Sequence, residues 1–168
     1  MRTNRKIAVT LAVAALVGAA GAGVAQASPA KGKSPAPSAC RPANHLAKIT
    51  QTANSAGHRH YRVTLTAPRG YESCTLAGSP TGVHFTNHDK SVKLTTKRYG
   101  SQHTKVTFGP GHPVHFDIQV PNNAHGLAAN EASFTLQAPG GDIPGTSFAD
   151  GKLTVAKGTL VGPVQRGA

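Results

Sequence analysis

Apolar residues fall at every second position in two stretches of the chain. In HYRVTLTA (residues 60–67), Tyr61, Val63 and Leu65 share one face while Arg62, Thr64 and Thr66 take the other. In PVHFDIQV (113–120), Val114, Phe116, Ile118 and Val120 alternate with His115, Asp117 and Gln119. A period of two is that of a strand with one face on a core. Shorter runs of the same kind occur at GVHFTN (Val83, Phe85), SVKLTT (Val92, Leu94), TKVTF (Val106, Phe108), ASFTLQ (Phe134, Leu136) and GKLTVA (Leu153, Val155). Between them lie turn-forming clusters at 68–70, 78–80, 109–111, 121–123 and 139–141, all built from Gly, Pro, Ser, Asn or Arg. After Cys40 no stretch keeps a helical stripe for ten residues, although NAHGLAANEA (123–132) has room for one helical turn. The expectation is an all-β domain over residues 40–168. Strands at this spacing build an immunoglobulin-like β-sandwich or a small barrel, and the sandwich is the form expected.

The first 39 residues read differently. Arg2, Arg5 and Lys6 precede the apolar run Ile7 to Ala25, and Ala25-Gln26-Ala27 has the small-x-small form of a cleavage site. This is the pattern of a secretory signal peptide over residues 1–27. No cysteine stands at the cleavage point and no second apolar run follows, so the expected product is extracellular, with neither a lipid anchor nor a membrane span. Residues 28–39, SPAKGKSPAPSA, carry Pro29, Pro35 and Pro37 among small polar residues. Such a composition makes a flexible linker, too poor in apolar groups to build a core.

Export gives the two cysteines a meaning. In an oxidising compartment Cys40 and Cys74 are the two available partners for one disulfide, closing a loop of about 35 residues. That bridge would pin the start of the domain to the strand and turn that hold Cys74.

Cys74-Thr75-Leu76-Ala77-Gly78-Ser79-Pro80, preceded by the opening Cys40 and followed by Phe108-Gly109-Pro110-Gly111 and a closing Gly162-Pro163-Val164, resembles the secreted bacterial family called domain of unknown function 4232. The resemblance spans Cys40 to about Gly167. It implies a signal peptide, a Pro/Ser/Ala-rich linker and one all-β extracellular domain, and it implies no activity. The chain departs from the family pattern at Ser79, where an aromatic is usual, at Ala67, where asparagine is usual, and in lacking a second cysteine pair. Within the run, Gly78 is expected to adopt a backbone angle closed to other residues and Pro80 to set the exit direction, which makes a structural corner.

The net charge of the whole chain is +12; the signal segment supplies three of those positives, which leaves +9 from Ser28 onward. A surplus of this size attracts polyanions. Its densest stretch holds Lys90, Lys93, Lys97, Arg98 and Lys105. Aromatics make up 5% of the chain and tryptophan is absent, too little for the stacked platforms on which single-stranded nucleic acid or sugar rings lie. An anionic cell-wall polymer or an extracellular protein is the partner expected.

Reactive chemistry finds little to stand on. Six acidic residues, none in a recognisable pair, and no G-x-S-x-G elbow or phosphate-binding glycine loop point to a non-catalytic protein without a cofactor. The alternative is a metal-binding protein or metal-dependent enzyme built on some of the nine histidines. His58 and His60 would share one face of an extended segment, with His112 and His115, or His84 and His88, as further donors. His84 and His115 take outward positions of their strands in this pattern.

Overall fold

The computed structural model describes residues 37–55, 57–122 and 124–168. The expected signal segment, and the linker as far as residue 36, lie outside them. A short 3-10 turn at Pro42–Asn44 is followed by β1 (Leu46–Ser55), β2 (His58–Thr66), β3 (Cys74–Ala77), β4 (Thr81–Asn87), β5 (Lys90–Val92), β6 (Lys97–Arg98) and β7 (Lys105–Phe108). Then come β8 (Val114–Pro121), β9 (Leu127–Thr135), β10 (Gln137–Ala138), β11 (Gly141–Asp142), β12 (Ser147–Val155), β13 (Leu160–Val161) and β14 (Gln165–Arg166). The domain is all-β, as the alternation requires.

The expected two stacked sheets are hydrogen-bonded into one. Its order is β5-β4-β9-β12-β1-β2-β8-β13-β6, and β14 continues the flank of β8 that β13 begins. The join lies between β1 and β12, which run parallel with Ala47 opposite Ala149 and Lys48 opposite Asp150. Beyond that join β12 bulges between Asp150 and Leu153. Gly151 sits in the bulge, where the Ile49 carbonyl occupies the space a Cβ would need.

This sheet curls on itself. Phe116 on β8 and Phe134 on β9 lie four strands apart in the hydrogen-bonding order, about 19 Å in a flat sheet. Their rings meet edge to face with centroids 5.0 Å apart. The two edges are close as well: residues 93–96 alone join β5 to β6, and five extended residue steps reach at most ~18 Å. A flat sheet would hold those edges about 38 Å apart. The result is a curled half-barrel, between the sandwich and the barrel that the turn spacing allows.

Inside the curl the alternating faces meet. Tyr61, Val63 and Leu65 of β2, Val114, Phe116, Ile118 and Val120 of β8, and Phe85 and Phe134 are all buried in one cluster. β3 and β7 form a separate antiparallel two-stranded sheet that adds Leu76, Val106 and Phe108 to the same core. Cys40 and Cys74 are bonded, with Cα atoms 6.0 Å apart. Just ahead of them, the Ala39 amide donates to the Glu72 carbonyl at 2.8 Å and the Glu72 amide to Pro37 at 3.1 Å, so pairing starts three residues before Cys40.

Four local expectations change. β1 is a ten-residue strand without a clear alternating signal, because Ile49 is its one fully buried side chain. The segment with room for a helical turn is strand from Leu127, paired on one side with β12 and on the other with β4. Val92 and Leu94 do not share a strand, since β5 ends at Val92. His115 is buried although its position points away from the core: β14 covers it, and its Nδ1 lies 3.0 Å from the Gly167 carbonyl.

Candidate functional site

Lys93, Leu94, Thr95 and Lys97 line one side of a cleft of about 630 Å³, and Lys157 and Gly158 line the other. The edge-to-edge connection supplies the first group. The second is the turn between β12 and β13, brought alongside because β13 pairs in parallel with β6 and the Lys97 amide donates to the Thr159 carbonyl at 3.1 Å. Thr159 stiffens that turn from within. Its buried hydroxyl donates to the Ala156 carbonyl at 2.7 Å and accepts from the Ala156 amide at 3.1 Å.

Three lysines therefore border one hollow. Among the described residues the ion pair present is Arg62 with Asp117, 3.4 Å apart, so no carboxylate neutralises the cleft within 4 Å. Lysines on sheet edges also deter unwanted strand pairing, and β5 and β6 are the two edges. Lys157 is not on an edge strand, so edge protection leaves it unexplained.

The other cations of the basic stretch are placed separately. Lys90 and Arg98 are exposed on β5 and β6 and do not line the cleft. Lys105 is on β7, in a different hollow with Gln102, His103 and Gln137. Lys157, sixty residues beyond Lys97, carries no local signal; only the parallel β6–β13 pairing brings it in.

His58 and His60 do share a face of β2, with ring centroids 6.4 Å apart, and His60 Nε2 lies 3.0 Å from Ser55 Oγ. The further histidines do not gather around them. Among the described residues no three His, Cys, Asp or Glu side chains group closely enough to hold a metal ion. No helix of those residues is long and apolar enough to cross a membrane.

A larger groove of about 720 Å³ runs beside the disulfide, between the Pro42–Ala43 turn and Ile143–Pro144. Its lining is mostly apolar and offers no pair of groups for acid–base work. His45, buried nearby, has a structural role. Its Nδ1–H donates to the Ala39 carbonyl at 2.9 Å, so its Nε2 accepts from the Ser147 hydroxyl at 3.0 Å, while the ring packs edge-on against Phe108. Burial holds its pKa below the ordinary 6.5, against the raising effect of hydrogen bonds to the Ala39 and Arg41 backbone. Below pH 6.5 the unfolded chain thus takes up a proton that folded His45 resists, and stability falls as pH drops through that window. Melting temperatures from pH 7.5 to 5 should show a decline that His45→Gln reduces; an identical slope in the variant would remove His45 as a source.

Around the opening corner the sequence motifs converge. Gly78 has φ of +73°, and its carbonyl accepts from the amide of Val164, in the closing Gly-Pro-Val, at 2.9 Å. Ser79 is fully buried. Its amide donates to Gln102 Oε1 at 2.9 Å, and its hydroxyl accepts from Gln102 Nε2 at 3.1 Å. The Gly109–His112 turn leads from Phe108, which pairs with Cys74, towards β8. These motifs are one packed corner with a covalent staple. No curated protein and no solved structure matches the chain. The family model described as domain of unknown function (DUF4232) matches residues 40–165, three quarters of the sequence and all three motifs of the corner, and the chain belongs to that family.

Proposed function

We propose that the chain is an exported, non-catalytic binding module: a curled all-β frame whose lysine cleft holds an anionic cell-wall component. One observation carries the proposal. Lys93, Lys97 and Lys157, from two distant segments, border a single hollow with no acidic partner. Cations left unpaired in a concavity favour an anion more than the same charges spread over a convex face, because the surrounding low-dielectric walls focus their field. Export is supported by the n-region, apolar run and cleavage site of residues 1–27, and by the disulfide.

Sedimentation of the purified domain with isolated cell walls tests this reading. Binding should weaken steadily with added salt, since exposed charges are screened beyond about 8 Å at physiological ionic strength. The triple variant K93Q/K97Q/K157Q should bind on the order of tenfold more weakly, as expected when several contacts act as one multivalent site. Undiminished binding by a folded triple variant would reject the cleft as the site.

A further inference from the structure

We infer that the anion taken by this cleft is a flexible phosphodiester polymer with an aliphatic backbone, of the poly(glycerol phosphate) kind; the inference rests on the binding reading above. Lining chemistry narrows the choice. The charged groups bordering the hollow are all lysines, and no arginine is among them. A lysine ammonium is a compact charge with three rotatable donors, a point-charge partner for phosphate oxygens. A charged polysaccharide would find no aromatic face for its rings, because no aromatic side chain lines the cleft. Nucleic acid carries phosphodiesters, but its bases lack a stacking surface here for the same reason. What suits the site is a chain that presents one negative charge per repeat and has little bulk between charges.

The layout extends the argument beyond a single phosphate. Lys93 and Lys97, both exposed, border the cleft on one side, and Lys157 faces them from the neighbouring turn. From Lys93 to Lys97 the chain spans at most ~14 Å. Three cations on two sides of one hollow can meet successive charges of a single ligand chain. Contacts made one after another along a tethered ligand add through effective concentration, so affinity should grow with ligand length until the cleft is filled.

Calorimetric titration of the domain at low ionic strength distinguishes the outcomes. The probes are glycerol 3-phosphate, poly(glycerol phosphate) oligomers of graded length, an oligogalacturonate of matched charge and a single-stranded oligonucleotide of matched charge. The expected result is no measurable binding of the monomer, affinity rising on the order of tenfold or more from short to long oligomers, and weaker binding of the other two polyanions. K93Q/K97Q/K157Q, checked for an unchanged melting temperature, should lose the length dependence. Equal affinity for the galacturonate or the oligonucleotide would overturn the phosphodiester assignment while leaving an anion-binding cleft. Absence of binding to every polymer would overturn both.

Discussion

Replacing Cys40 and Cys74 together by alanine should lower the unfolding free energy by about 4 kcal/mol, the value expected for a covalent loop of this length in the chain-entropy model. The sequence separation of the pair is 34. Against a net stability of about 5–15 kcal/mol for a domain of this size, the loss is large. Its location follows from the topology. The β3–β7 sheet shares no strand pairing with the main sheet; beyond its chain connections to β4 and β8 it is fastened by the core contact of Leu76, Val106 and Phe108, the Val164–Gly78 hydrogen bond and the disulfide. The segment around Ala39 depends on the same bond. Denaturant titration of the oxidised protein, the reduced protein and the double variant should place the last two together, well below the first. A difference under about 1 kcal/mol would mean that packing alone holds the β3–β7 sheet, contrary to the chain-entropy expectation.

How much of this was legible beforehand depends on what each residue's neighbours had to reveal. β2 and β8 announce themselves because large apolar side chains alternate with polar ones, and the structure buries the expected face of both. β1 hides because it contributes backbone pairing on both flanks while burying Ile49 and little else. The alanines of β9 look compatible with a helical turn; pairing to β12 and β4 overrides that local preference, and Ala129 and Ala132 are buried as strand residues. Alternation shows which face of a strand is inward, but not which strand lies beside it. The join that turns two layers into one sheet rests on Ala47 with Ala149 and Lys48 with Asp150, residues about a hundred apart without any distinguishing pattern. The cleft divides the same way. Lys93 and Lys97 belong to an evident basic run, whereas Lys157 joins them only through the β6–β13 register. The cysteine pairing was legible in full, since two cysteines in a chain with an export pattern leave one pairing.

The closure of the curl is itself testable through its two central rings. Phe116 and Phe134 are fully buried, and truncating either to alanine should cost about 3–5 kcal/mol, the usual range for a buried phenylalanine with its cavity. Such variants approach the limit of folding, so the milder Phe116→Leu and Phe134→Leu serve to measure coupling. An edge-to-face aromatic pair contributes about 0.5–1.5 kcal/mol beyond the area it buries. Each leucine variant removes that contact, and the double variant cannot lose it twice. The double variant should therefore be less destabilised than the sum of the singles by roughly the pair's own contribution. In a flat sheet the two residues would stand about 19 Å apart, a separation at which mutational effects add within ~0.3–0.5 kcal/mol. Additive singles in chemical denaturation would thus count against a curled sheet.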